Sequence, residues 1–333
     1  MIKNVIGFDI GGTKSAVLIA NALKDSIEFY GRKEISTTSD WRYILDTLCE
    51  QAFIMAEKQR IDLKAAAKEW KQTGTASCAV GISCGGPLSA DRKMILSPPN
   101  LPGWNEVPVV EYLEERLGIP AYLENDADAC ALAEWQYGAG KGFNSVIFLT
   151  FGTGLGAGLI LEGRLYRGAA GMAGEIGHIR MEKDGPVGYG KEGSLEGFCS
   201  GGGISRLAVQ YVEEAKQHGR TPEFASEENT VITAKLVAEA AKNGDSDAIE
   251  IYRISGREFG RGLSILIDLL NPDCIVAGSI YTRCRTLLDE AMYAEIEKEA
   301  LLQSRNTCRI RPAELGEQIG DYGAVMAAMY HLR

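Results

Sequence analysis

Val5–Ile19 reads VIGFDIGGTKSAVLI: an apolar run, one aspartate, two adjacent glycines with a threonine, then a second apolar run. β-branched and aromatic residues before the glycines, and apolar residues after them, predict strand, tight turn, strand. In such a turn the backbone N–H groups of Gly11, Gly12 and Thr13 face outward with little side chain in the way, an arrangement that suits an anion. Asp9, near the strand end, is placed to hold a magnesium ion or its waters. The same pattern also fits an ordinary hairpin turn, and the loop is neither a Walker A sequence nor a GxGxxG.

Val146–Ile160, VIFLTFGTGLGAGLI, lies over this stretch without a gap, and six of fifteen positions are identical: Val5/Val146, Ile6/Ile147, Gly11/Gly152, Ala16/Ala157, Leu18/Leu159 and Ile19/Ile160. A matched pair of glycine hairpins, one in each half, predicts a duplicated domain and a polyphosphate gripped from two sides. The length of 333 residues agrees, since it exceeds what one hydrophobic core usually supports and leads us to expect two domains with a cleft between them. With 45 acidic and 35 basic residues the net charge is −10, and no run concentrates either sign. That argues against nucleic acid or an anionic membrane as partner. No apolar run approaches the length of a membrane span and no signal-peptide pattern opens the chain, so the expected location is the cytoplasm. Eight cysteines are scattered among apolar neighbours with no CxxC pair, and we read them as buried free thiols.

Further candidate ligand positions follow along the chain. A strand over Ala79–Ser83 runs into the turn Cys84-Gly85-Gly86-Pro87, and strand ends of this kind are where open α/β sheets place ligands. Ser97–Pro108 holds four prolines in twelve residues and is therefore a loop, with Asn100 and Trp104 available to line a pocket. Asp126 sits where a strand over Ile119–Glu124 gives way to a helix over Ala127–Tyr137. It fits either an N-cap or a base that takes the proton of a bound hydroxyl, with Asn125 beside it. The glycine-rich segment 168–203 carries Glu175, His178 and Glu196, and the strand Pro272–Ala277 ends at Gly278-Ser279. Long helices are predicted over Asp247–Leu270 and Arg285–Glu299.

Taken in order, GFDIGGTK, PNLPGW, LENDADACALAE, LTFGTGLGAGLI, GEIGH and LNPDCIVAGS resemble the ROK sugar kinases, a group within the actin, hexokinase and Hsp70 superfamily. The resemblance runs from Gly7 to about Ala327. It implies an α/β protein of two ribonuclease-H-like (actin-like ATPase) domains around a central cleft. Residues 1–120, joined by the C-terminal helix 321–333, would form one and residues 121–320 the other. It further implies an ATP- and Mg2+-dependent kinase of a free hexose, glucokinase-like and acting at the 6-hydroxyl, with a homodimer as the expected assembly. Asp9, Gly11, Gly12, Thr13 and Lys14 would form the first phosphate loop, Gly152, Thr153 and Gly154 the second, and Gly278 and Ser279 would border the adenosine. Asn125, Glu175, His178 and Glu196 would bind the sugar, with Gly86 and Asn100 nearby, and Asp126 would be the catalytic base.

One departure stands out. In many members the histidine of GEIGH also ligates a structural zinc with three cysteines of a following CxCGxxGCxE segment. Here Val187, Tyr189 and Ser194 occupy those places, none of them a thiolate, so no structural zinc is expected. Tyr189 or nearby backbone is expected to hold the loop instead. The alternatives are a kinase of another hexose (N-acetylglucosamine, N-acetylmannosamine, allose, fructose) and, in a different class, a non-catalytic sugar-binding regulator. Regulators of this fold carry an N-terminal helix-turn-helix, and six residues before Gly7 leave no room for one, which favours the enzyme.

Overall fold

The computed structural model describes residues 4–225 and 231–332. The chain divides into two compact units, Met1–Gly142 with Leu165–Ala173 and Leu315–Arg333, and Phe143–Arg164 with Gly174–Glu314.

In the first unit, β1 (Asn4–Ile10), β2 (Lys14–Ala22) and β3 (Ile27–Ser36) run antiparallel. Helices α1 (Trp41–Lys58) and α2 (Leu63–Thr73) follow, then β4 (Cys78–Cys84), α3 (Val109–Leu117), β5 (Ala121–Asn125) and α4 (Asp126–Tyr137). β4 lies parallel to β1 and β5 parallel to β4, giving the sheet order β3-β2-β1-β4-β5. Both faces of the sheet are covered, which is why β1 and β2 read as unbroken apolar runs rather than alternating ones. Ile6, Phe8, Ile10, Val17 and Ile19 pack among Ile44, Leu45 and Leu48 of α1, whereas Val5, Leu18 and Ala20 point the other way, to Val325 and Ala328. Each of the valine, leucine, isoleucine and phenylalanine side chains contributes about 1.5–3 kcal/mol on burial. Asp40 and Asp62 start α1 and α2 as N-caps, accepting from the N–H groups of Tyr43 and Ala65 at 3.1 and 3.0 Å.

The second unit repeats the pattern. It contains β6 (Val146–Leu149), β7 (Ala157–Leu161), β8 (Arg164–Leu165), the small hairpin β9 (Val187–Gly188) and β10 (Lys191–Glu192), and helices α5 (Leu195–Phe198), α6 (Gly201–Gln217), α7 (Ala234–Lys242) and α8 (Ser246–Leu270). β11 (Cys274–Ala277), α9 (Ile280–Glu299), α10 (Leu302–Thr307) and β12 (Arg309–Pro312) complete it, and the chain returns to the first unit for α11 (Ile319–His331). Its sheet order is β12-β11-β6-β7-β8, with β6 and β7 antiparallel and β11 and β12 parallel to β6 and to each other. Strand for strand this is the order of the first sheet, so the repeat seen in the two glycine hairpins is a repeat of topology. The fold is thus α/β with two ribonuclease-H-like domains.

Two local expectations change. Trp104 lines no pocket: it is 0 % exposed, in the core, with Nε1–H donating to Thr38 O at 2.9 Å. Its large apolar ring outweighs its place in a polar loop, and the indole N–H still finds an acceptor. The last long helix of the second unit starts at Ile280 rather than Arg285, with a non-helical residue at Cys284 (φ −119°, ψ 18°). All eight cysteines are free and buried. Among the described residues no helix is long and apolar enough to cross a membrane.

Candidate active site

In the first unit, residues 11–13 join β1 to β2. Gly11 N–H donates to Lys14 O at 3.1 Å, and Thr37 braces the turn, its Oγ1 donating to Gly11 O at 2.7 Å and its N–H to Thr13 O at 3.0 Å. A Cβ on Gly12 would lie 2.3 Å from Asn100 O, so only glycine lets the proline-rich loop come this close to the hairpin. Lys14 Nζ pairs with Glu34 Oε1 at 2.6 Å on the exposed side of the strand.

Asp9 pairs in register with Ser83 of β4 and is half-buried. Its carboxyl is raised from 3.8 to about 6, first by burial, then by the negative charge of Asp321, with Asp126 and Glu34 adding and Arg32 opposing. A carboxylate held among like charges with too little counter-charge suits a divalent cation or its waters.

β5 hands over to α4 at Asn125. Its Oδ1 accepts from the N–H groups of Ala127 (3.0 Å) and Asp128 (3.4 Å), which makes Asn125 the N-cap. The N-cap alternative for Asp126 is therefore filled by its neighbour, and Asp126 is the first helical residue. Its Oδ1 accepts from Ala127 N–H at 2.8 Å. Its Oδ2 lies 3.6 Å from where a Cβ on Gly85 would stand, the same distance as Asn100 Nδ2, while Asn125 Nδ2 lies 3.4 Å from that point on Gly86. Gly85, Gly86, Asn100, Asn125 and Asp126 are thus brought together. Asp126 is crowded by protein, so burial raises its pKa above the ordinary 3.8 against the pull of backbone donors. Water still reaches its side chain.

In the second unit, the loop after β6 carries Gly152, Thr153 and Gly154. Gly152 O accepts from Gly201 N–H at 2.7 Å, Phe151 O from Ile280 N–H at 2.8 Å, and Leu149 O from Gly278 N–H at 3.0 Å. The first residues of α6 and α9 are thereby fixed beside this loop. Helix N-termini favour anions. A cavity of about 640 Å³ opens here, lined by Gly152, Thr153, Ser279, Gly201, Lys235 and Arg283 among others. Ser279 has φ +51°, a left-handed backbone uncommon outside glycine and concentrated at functional sites.

The sugar candidates of this unit lie along the glycine-rich segment. Glu175 and His178 are exposed at a single 3-10 turn, Ile176–His178. Glu196, in α5, accepts Leu155 N–H on Oε2 at 2.9 Å, so part of its carboxylate is engaged by the hairpin between β6 and β7. The loop after His178 is held by hydrogen bonds. Lys191 Nζ donates to His178 O at 2.7 Å, Leu195 N–H to Ile179 O at 2.8 Å, and Met181 N–H to Gly193 O at 2.8 Å. Ser194 caps α5, accepting Gly197 N–H at 3.2 Å, while Tyr189 stands edge-on to His178, 6.3 Å between ring centroids. Among the described residues no group of three or more His, Cys, Asp or Glu is arranged to hold a metal. The donors around His178 do not fit a closed zinc site.

Sequence reasoning passed over several neighbours of these residues. Gly201, Gly202, Lys235, Lys242 and Arg283 line the cavity, and Arg92, Asp128 and Arg167 stand behind Asp126. Ser200 before the glycines was the available signal for the first pair, since its side chain caps α6. For Arg92 and Arg167 there was none, because both partners are remote in sequence.

A family model for the ROK family matches residues 5–330. A glucokinase from Streptomyces coelicolor is 34% identical over 276 residues, 82% of this chain and 80% of its own length. Among solved structures, a ROK family glucokinase from Streptomyces griseus, in complex with glucose and AMPPNP, is 30% identical at a TM-score of 0.72, covering 97% of this chain and 98% of its own. A ROK hexokinase from Thermus thermophilus is 28% identical at a TM-score of 0.76, covering 99% of each chain. The chain belongs to the ROK family, among its ATP-dependent sugar kinases.

Proposed function

We propose that this kinase phosphorylates a free hexose, glucose by default, at its 6-hydroxyl, with Asp126 as general base. The observation that carries the reading is the convergence of Asp126, Asn125 and Asn100 on the Gly85-Gly86 turn, with Asp126 reachable from solvent. A sugar hydroxyl is a poor nucleophile. As its oxygen bonds to the γ-phosphorus and the bond to the ADP oxygen breaks, the proton passes to the Asp126 carboxylate. Asn125 is kept by its capping bonds in one orientation, with Nδ2 turned towards Gly86, which suits it to a sugar hydroxyl. Glu175, His178 and the remaining oxygen of Glu196 are assigned to the other hydroxyls.

The nucleotide is assigned to the cavity of the second unit, with adenosine beside Gly278 and Ser279 and phosphates near residues 152–154 and the N-terminus of α6. Gly11, Gly12 and Thr13 are assigned to the γ-phosphate end. Asp9, directly or through water, is the residue we assign to magnesium, which neutralises phosphate charge when bound. Lys14 is assigned to the nucleotide only through its place in the first loop, since Glu34 holds its ammonium. A homodimer, a cytoplasmic location, and the absence of a structural zinc and of a nucleic-acid partner complete the proposal. The excess of acidic residues supports the last of these.

A phosphorylation assay of the purified protein over a sugar panel with Mg-ATP tests the reading. Turnover of glucose above the others is the expected result. Preference for N-acetylglucosamine, N-acetylmannosamine, allose or fructose would move the substrate within the same chemistry. Sugar binding without turnover of any of them would favour the non-catalytic regulator.

A further inference from the structure

Behind Asn125 and Asp126 the first unit gathers four ionisable side chains, Arg92, Glu124 and Asp128 buried and Arg167 half-buried, and burial raises the Asp128 carboxyl from 3.8 to about 8. Glu124 is 0 % exposed, and its Oε1 accepts from both Arg92 Nε (3.0 Å) and Asn125 N–H (3.1 Å). Its Oε2 accepts from Arg167, through Nε at 2.9 Å and through Nη2. Arg92, 7 % exposed, places Nη2 between Asp128 Oδ2 (3.3 Å) and Gly171 O (3.1 Å). One guanidinium therefore holds Glu124, just before the Asn125-Asp126 pair, and Asp128, two residues after it.

Two features say that this is more than a stabilising contact. Arg92 has φ +55°, left-handed for a side-chain-bearing residue, at the tip of a turn where its N–H donates to Ser89 O at 2.9 Å. Such a backbone costs on the order of 1 kcal/mol and persists where the surroundings impose it. Buried ion pairs, moreover, seldom stabilise more than apolar residues of similar volume, and in some proteins they serve instead to specify one geometry. The planar fork of arginine can reach Glu124 from one nitrogen and Asp128 and Gly171 from another, which a lysine ammonium cannot reproduce.

We infer that Arg92 is a positioning residue: by holding Glu124 and Asp128 it sets the orientation in which Asn125 and Asp126 meet the acceptor hydroxyl. The inference rests on the assignment of Asp126 as base. Arg92 itself touches no reacting atom. Its loss should therefore act on kcat and leave the nucleotide term alone.

The test compares wild type with Arg92→Lys, which keeps the charge, and Arg92→Ala with and without added guanidinium. In Arg92→Lys, kcat is expected to fall by about tenfold to a hundredfold, the cost of a small misplacement of reacting groups. The KM for Mg-ATP should stay within about twofold, and guanidinium should restore part of the kcat of Arg92→Ala. A kcat within about threefold of wild type, or a loss that only follows the folded fraction, would overturn the inference. Amide hydrogen exchange supplies a readout independent of turnover. Exchange across residues 123–129 should quicken in Arg92→Lys, with the rest of the chain unchanged, and unchanged exchange there would overturn the inference too. If the wild type phosphorylates no sugar, the proposed function fails, and the exchange experiment still decides whether Arg92 holds this turn.

Discussion

Gly81 of β4 lies directly against Ala324 of α11: a Cβ on Gly81 would stand 1.9 Å from Ala324 O. Gly7, its register partner on β1, would place its own Cβ 3.1 Å from Ala324 Cβ and 3.0 Å from the Leu18 side chain. The last helix rests on a bare strip of sheet. Gly81→Ala puts a methyl into a backbone carbonyl that cannot rotate away and should cost about 1–3 kcal/mol or more. Gly7→Ala meets a flexible leucine and should cost less. Thermal melts of the two variants check this, and equal midpoints would contradict it.

Asp126→Asn should lower kcat by about a hundredfold or more while leaving sugar binding measurable. A change below about tenfold, 1.4 kcal/mol in barrier, would remove the general-base role. The base acts ionised, and burial raises its pKa. Activity should thus fall as pH drops through a value above 3.8, and the acidic limb of the kcat profile measures it.

Asp9→Asn should make the protein more stable and less active. In the wild type the folded pKa lies at about 6, above the ordinary 3.8, so the ionised carboxylate opposes folding as pH rises through that window. The opposing contribution is at most about 3 kcal/mol for this half-buried group. The variant's advantage in melting temperature should therefore be small at about pH 4 and full at about pH 8, measured without nucleotide. A constant difference across that range would show that the charge is not its source.

Lys235→Glu reverses an exposed charge on the wall of the second unit's cavity. The KM for Mg-ATP should rise severalfold with sugar affinity unchanged. An unchanged nucleotide KM would place the donor elsewhere.

Zinc measured on protein purified without added metal should fall well below one equivalent. Val187 and Tyr189 are exposed, and Ser194 is committed to capping α5. A value near one equivalent would contradict the proposal.

What sequence could disclose followed the range of the interactions. The two hairpins were legible because a glycine turn between apolar strands is a local pattern, and their alignment revealed the repeated topology. Asp126 was legible as a residue but ambiguous in role, since which of two adjacent side chains caps a helix depends on χ angles that sequence does not carry. Trp104 was misjudged because its polar, proline-rich surroundings gave no sign of the core beneath. Arg92 was invisible, with partners at Glu124, Asp128 and Gly171, 32, 36 and 79 residues away. Its importance arises from long-range pairing that no window of sequence contains.

Glu196 ties α5 to the loop before β7. Its carboxylate accepts Leu155 N–H in the hairpin that follows the second glycine loop. Under the proposed assignment, replacing it to admit a new sugar would also loosen a brace beside the proposed nucleotide cavity. Directed evolution of acceptor choice should for that reason leave Glu196 in place and begin elsewhere on the acceptor side.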